Sequence, residues 1–443
     1  MLRGTLNLRL LPVLTAALVA LAAVAPARAA TFVETASEPF GTFGGIEYVR
    51  YTGRFVGTTA FGVYRMPFEI VAPVDPGLGN RTVLIEPPHF AFGPAGRDGV
   101  LGRAFLFSQG YSYASVGYGN FGLIILDPTA PDLVLAGKSV GELGPTRVDD
   151  FEILVQFVHA LDSEPFAVDA LGAIERKYGY GVSQTADTWL VIQHQPSGQN
   201  LLDFTLLDRE LWRPAWAPPA ILALFPEEFV PLSGVGKVIF VESEGDLLIS
   251  GAQQFRRAVV GPDADLESYR VYEVAGAPHF PLEPPLNPLD FSGVLRAMFL
   301  NGDLWVRTGA APPPSLLLAA PPAGTIDPVY GVETGIARDE HLNALGGVRF
   351  PDVEVGRAHF VASLPNFEIL PGLPGIVGAW FDLQCVPLAD GSVRFTSHGD
   401  YVSRVVGQAN SLRRGGYLLE ADAEALKAQA AESEVGMPGV CDR

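Results

Sequence analysis

Positive charge is scarce in this chain. Lys and Arg number 30 against 49 Asp and Glu, a formal net charge of −19, and so acidic a surface repels phosphate backbones. Nucleic acid is therefore excluded as a partner. Charged residues make up only 18% and hydrophobic ones 48%, against a typical charged share of ~25%, which excludes a disordered chain. After the first thirty residues no apolar run approaches the ~20 residues that span a bilayer, so no membrane partner is expected for the mature chain. No repeat with a period of roughly 20 to 50 residues is present, which excludes solenoids and propellers. Cysteine is limited to Cys385 and Cys441, neither in a CxxC nor beside a His at ligand spacing, so no metal site is indicated. Glycine (49) and proline (37) are plentiful, which argues against a helical bundle and for long ordered loops.

The N-terminus has the pattern of an export signal. Arg3 and Arg9 precede and flank an apolar run, Leu10 to Val24, and Ala27-Arg28-Ala29 supplies the small residues a signal peptidase requires. Residues 1–29 are expected to be cleaved, placing the mature protein in the periplasm or outside the cell, with an uncleaved N-terminal anchor as the alternative. In such an oxidising compartment one disulfide, Cys385 to Cys441, is expected to pin the C-terminal tail, two buried thiols being the alternative.

Residues 30–443 read as one elaborated domain. Ile46–Val56, Val63–Val71, Thr82–Glu86 and Tyr111–Tyr118 are β-rich runs between Gly and Pro clusters. At Val148–Leu161 the period changes, with Phe151, Leu154, Val155, Val158 and Leu161 on one helical face. Strands at Lys177–Val182, Leu201–Leu207, Lys237–Glu242 and Tyr269–Val274 then alternate with helical segments, one opening near Ser183. This alternation implies an α/β class with a mostly parallel sheet covered by helices on both faces. Residues 209–236 form a cap-like insertion, and its Trp212, Trp216 and Phe225 are candidates to line a substrate pocket. Helices are expected at Asp290–Trp305 and Glu420–Ser433, within or before a C-terminal extension of about 310–443.

The chemistry concentrates at Tyr178 to Ala186, YGYGVSQTA. A serine on a sharp turn from strand to helix exposes its hydroxyl at the carboxyl edge of the sheet, and small residues at −2 and +2 relieve crowding there. Gly181 fills the first position and Thr185 stands at the second. The better match to the bare pattern, Gly137 to Gly141 around Ser139, lies in the wrong context because Gly144 and Pro145 prevent a helix from following; Ser139 is expected in a loop. Behind Ser183, in the order an acyl-transfer triad requires on such a sheet, come Ser243-Glu244-Gly245-Asp246 and then His279, each just after a strand. Ser183 is the candidate nucleophile and His279 the candidate base, which activates the hydroxyl while a carboxylate fixes its tautomer. Asp246 is the expected acid from its place in the turn. Glu244 is the alternative, read as a solvated or locally bonded loop carboxylate, and Asp208 is the reserve. His341 is the competing base. The oxyanion hole is expected to use the N–H of Gln184 and a second from the loop Glu86 to Phe90, where the prolines leave His89 or Phe90.

Together GVSQT, FVESEGD, YEVAGAPH, RDEHLNALGGVRFPDVEV (Arg338 to Val355) and YVSRVVGQANSLRRGGYLLEADA resemble the exported bacterial alpha/beta hydrolase domain family. The resemblance implies an alpha/beta-hydrolase fold with Ser183 as nucleophile, His279 as base and the C-terminal region integral to the domain; family members commonly carry Gly where Thr185 stands. The resulting expectation is an exported serine hydrolase, a carboxylesterase acting on a small-molecule ester of apolar character without a cofactor. The alternatives are a non-catalytic ligand-binding protein on the same scaffold, or an amidase or lactonase with the same triad.

Overall fold

β-branched and aromatic residues open the chain, and they form strands. β1 (Thr31–Phe43), β2 (Ile46–Thr59) and β3 (Gly62–Pro73) make an antiparallel meander. The β1–β2 hairpin turns on Gly44 and Gly45, with φ of 56° and 84°. A two-residue hairpin favours positive φ at its central positions, which glycine adopts without a Cβ clash. β4 (Thr82–Ile85) and β5 (Ser112–Val116) follow, then a two-residue pair set apart from the main sheet, β6 (Val134–Leu135) with β7 (Lys138–Ser139). With β8 (Arg176–Val182), β9 (Phe204–Asp208), β10 (Lys237–Ser243) and β11 (Tyr269–Val274) the main sheet has nine strands in the order β1-β2-β3-β5-β4-β8-β9-β10-β11. From β5 to β11 neighbouring strands are parallel. The computed structural model describes residues 30–59, 62–89, 93–117, 134–135, 138–139, 149–210, 235–250, 267–367 and 375–442. The expected signal segment, Phe90 and the pocket candidates Trp212, Trp216 and Phe225 lie outside the described residues.

Parallel strands need crossovers, and these supply the helices. They are α1 (Arg103–Phe107), α2 (Asp149–Ala160), α3 (Pro165–Leu171), α4 (Gln184–Gln193), α5 (Glu244–Ser250) and α6 (Ser292–Thr308). Side chains of the central strands alternate between two cores: Val83 and Ile85 face that of α2, α3 and α4, while Leu84 faces that of α6. Both faces are thus covered, which is why these strands read as continuous apolar runs. Several element ends differ from the expected ones. The strand expected from Leu201 begins at Phe204, and the helix expected from Asp290 begins at Ser292, whose N–H the Asp290 carboxylate accepts (2.9 Å).

The C-terminal region shares the second core. Single bridges, Tyr272 with Leu316 and Val274 with Val348, continue the sheet past β11, and Leu318, Ala344, Val348 and Val353 pack beside Val274. α7 (Pro351–Glu354), the antiparallel pair β12 (Ala358–Val361) and β13 (Ala379–Asp382), and the helices α8 (His398–Arg414) and α9 (Glu420–Glu432) follow. Cys385 and Cys441 are joined in a disulfide with Cα atoms 5.2 Å apart. Among the described residues no helix is long and apolar enough to cross a membrane.

α6 lies close against the sheet at Gly302, where an added Cβ would overlap the ring of Phe204 on β9, a side chain with no exposure. Alanine gains about 1 kcal/mol of helix propensity over glycine, whereas overpacking a rigid core costs about 1–3 kcal/mol. Gly302→Ala should therefore lower the urea midpoint. A raised midpoint would show that α6 can move off the sheet.

Candidate active site

β8 ends at Val182 and α4 begins at Gln184, leaving only Ser183 to make the turn, at φ 54° and ψ −127°. A side chain in that region carries strain of order 1–3 kcal/mol, so neighbouring bonds must hold it. Ser183 N–H donates to the Asp208 carbonyl on β9 (2.8 Å), and the Ser183 carbonyl accepts from Ala186 and Asp187 (2.9 and 3.1 Å). Thr185 Oγ1 donates to the Val182 carbonyl (2.9 Å) and accepts from the Val182 N–H (2.8 Å), so the residue standing in place of glycine fastens the turn. Gly181 is required, because a Cβ there would lie 2.5 Å from the Thr185 oxygen. Ser139, the better match to the bare pattern, lies on the short strand β7 instead of the expected loop, and no helix among the described residues starts from it.

Ser183 Oγ is 3.0 Å from His279 Nε2, and His279 Nδ1 bonds Asp246 Oδ1. All three side chains are buried. Asp246 sits in a capping box at the start of α5: its Oδ2 accepts from Ser243 N–H (2.9 Å), and Ser243 Oγ accepts from Asp246 N–H (3.1 Å). The alternative acid differs from expectation. Glu244 is not a solvated loop carboxylate but fully buried, bonded to Arg338 (2.5 Å) and accepting from Gly276 N–H (2.8 Å) in the loop that carries His279. Arg338 also pairs with Asp327 (2.8 Å). Asp208 is committed elsewhere: it binds Arg209 twice (2.9 and 2.7 Å) and the Tyr180 hydroxyl (2.8 Å), while Arg209 Nη1 donates to the His279 carbonyl (3.0 Å). Burial raises the Asp208 carboxyl above its usual range despite that guanidinium.

Of the N–H groups expected to serve an oxyanion, that of Gln184 opens α4, where the first N–H groups have no acceptor inside the helix. The N–H of His89 is spent: His89 and Gly93 exchange N–H to carbonyl bonds, each 2.8 Å, in a tight bridge that takes the donor expected to face the oxyanion. Of the two expected donors this leaves Phe90. The His89 imidazole is buried beside the site, and burial first, then the charges of His279 and Arg209, lowers its pKa to about 3, so it stays neutral. His341 does not compete for the base position, since His279 is the imidazole against Ser183 and the His341 ring contacts Arg394 Nη1 (3.0 Å). Among the described residues no group of three or more His, Cys, Asp or Glu could hold a metal ion.

The family described as "Alpha/beta hydrolase domain" matches residues 64–428. The chain belongs to this family. No curated protein sequence matches it. Among solved structures, an esterase from Pyrobaculum calidifontis is similar at 14% identity, covering 50% of this chain and 75% of its own, with a TM-score of 0.31. A siderophore hydrolase from Aspergillus nidulans is similar at 12% identity over 50% of this chain and 87% of its own, with a TM-score of 0.31. Brefeldin A esterase, a bacterial homologue of human hormone sensitive lipase, is similar at 13% identity over 54% of this chain and 68% of its own, again with a TM-score of 0.31.

Two buried carboxyls outside the serine–histidine–aspartate row make this alpha/beta hydrolase testable by stability alone. Glu86, at the end of β4, accepts from the N–H groups of Gly96 (2.5 Å) and Arg97 (3.1 Å), yet burial outweighs these bonds and pushes its pKa from 4.5 up to about 7. The folded chain therefore holds this proton more tightly than the unfolded chain, and the contribution is complete below pH 4.5 and lost as pH rises to about 7. Its size is on the order of 3 kcal/mol. Urea titrations should show the parent losing stability relative to Glu86→Gln across that window; parallel curves would reject a protonated Glu86. Arg338→Met strands Glu244 as a buried charge and should destabilise by about 3–5 kcal/mol. A loss below about 1 kcal/mol, typical of exposed pairs, would show that water reaches Glu244.

Proposed function

We propose that this chain is an exported serine hydrolase, a carboxylesterase that works through an acyl-enzyme intermediate. The observation that carries the reading is the bonded row Ser183, His279, Asp246, set on a strained strand-to-helix turn. In this mechanism Ser183 Oγ attacks the ester carbonyl while His279 Nε2 takes its proton. Asp246 keeps Nδ1 protonated and stabilises the imidazolium that forms. The developing oxyanion is met at the start of α4, where Gln184 N–H donates, and His279 then returns the proton to the leaving alcohol. Water repeats the sequence to release the acid. Export is supported by the apolar run Leu10 to Val24 before Ala27-Arg28-Ala29 and by the Cys385–Cys441 bond, since disulfides persist in oxidising compartments. Trp212, Trp216 and Phe225 in the 209–236 insertion support an ester with apolar character, and the net charge of −19 disfavours polyanionic substrates.

A fluorophosphonate probe tests the reading, because it reacts only with an activated serine. The label is expected on Ser183. Ser183→Ala should lose both the label and roughly six orders of magnitude in kcat, and Asp246→Asn about four, whereas Ser139→Ala should stay within a few fold of the parent. A folded protein that takes no label would leave the ligand-binding alternative standing. Equal losses at Ser139 and Ser183 would reject the assignment of the nucleophile.

A further inference from the structure

Gln184 follows the nucleophile, and the mechanism uses only its backbone. Its side chain is 1% exposed, and neither Oε1 nor Nε2 has a hydrogen-bond partner among the described residues. A buried amide left without partners is destabilising, whereas Met or Leu would fill the same volume without that cost. Three other polar side chains of α4 are bonded: Thr185 to Val182, Trp189 Nε1 to the Tyr180 carbonyl (2.9 Å) and Thr188 Oγ1 to the Gln184 carbonyl (3.0 Å). Gln184 is the first residue of α4, next to Ser183, and the Cα–Cβ bond of a helical residue tilts toward the N-terminal end of its helix. An amide presents a donor NH2 and an acceptor oxygen, and a hydroxyl or another amide, being donor and acceptor at once, can satisfy either.

On the hydrolase reading above, we propose that the Gln184 side chain is a specificity determinant for esters that carry a hydroxyl or amide three or four bonds from the scissile carbonyl carbon. The group would engage the Gln184 amide while the carbonyl oxygen lies at the Gln184 N–H. A site built to bond such a group rejects the analogue that lacks it, because its own polar atoms then remain unpaired.

The test compares kcat/KM for two matched pairs, 4-nitrophenyl butyrate with 4-nitrophenyl 3-hydroxybutyrate, and ethyl butyrate with 2-hydroxyethyl butyrate, in the full chain and in Gln184→Met. The parent should prefer the hydroxylated member of at least one pair by roughly tenfold or more. In Gln184→Met that ratio should fall to about one, and Tm should rise by about 2 °C as the unpaired amide is removed. A parent without preference in either pair overturns the proposal. So does a variant that keeps the preference, or one that loses Tm, since the amide would then have a structural partner such as a buried water. Fluorophosphonate labelling separates the two levels. A labelled Ser183 without selectivity defeats only this inference, and an unlabelled one defeats the hydrolase reading on which it rests.

Discussion

One hydrogen bond joins the two strands that organise the site: Ser183 N–H to the Asp208 carbonyl, 2.8 Å. It extends the β8–β9 ladder by one residue past Val182 and holds Ser183 where the chain would otherwise relax out of positive φ. From Asp208 the connection runs on through its carboxylate to Arg209, and from Arg209 to the His279 carbonyl. The backbone positions of the serine and the histidine are therefore fixed by the same pair of residues at the end of β9. Burying such an ion pair brings little net stability, because desolvation offsets most of the attraction. What Asp208 and Arg209 provide is a rigid distance between two loops.

A second set of contacts grips the histidine loop from the C-terminal side. Glu244 takes the Gly276 N–H, and Asn287 Nδ2 donates to the Gly276 carbonyl (2.7 Å). Asn287 also reaches the Val361 carbonyl on β12 (3.1 Å), and Arg338 holds Glu244 from beyond the sheet. Gly276 has φ 73° and lies against the Phe360 and Val353 side chains, so a larger residue there would strain the turn and press on its neighbours. Packing and charge from residues 338–361 thus converge on the loop that carries His279.

Sequence order and turn spacing singled out Ser183, Asp246 and His279, whose side chains form one bonded row, because each stands just past a strand and strands of this kind announce themselves by apolar runs. Asp246 carried a further signal that the reading by turn spacing overlooked: Ser243-Glu244-Gly245-Asp246 is a capping box, and the same Ser-x-x-Asp spacing, Ser397 to Asp400, opens α8, a helix likewise not expected. Glu244 and Arg338 were not legible as partners. They are far apart in the chain, and a buried ion pair has no local signature in either segment. The His89 donor failed for a comparable reason, since its bridge to Gly93 depends on a turn whose shape the two prolines do not determine. Thr185 could be read only as a departure from glycine, whereas its hydroxyl makes up for the extra bulk by bonding both backbone groups of Val182.

The Cys385–Cys441 bond closes a covalent ring that contains α8 and α9. A single protease cut anywhere between the two cysteines opens that ring without releasing a fragment, because each new end stays tethered through the sulfurs. The severed helix is then held at high effective concentration beside its site and can re-dock faster than a free peptide would return. A nick in the C-terminal helices thereby becomes a survivable injury.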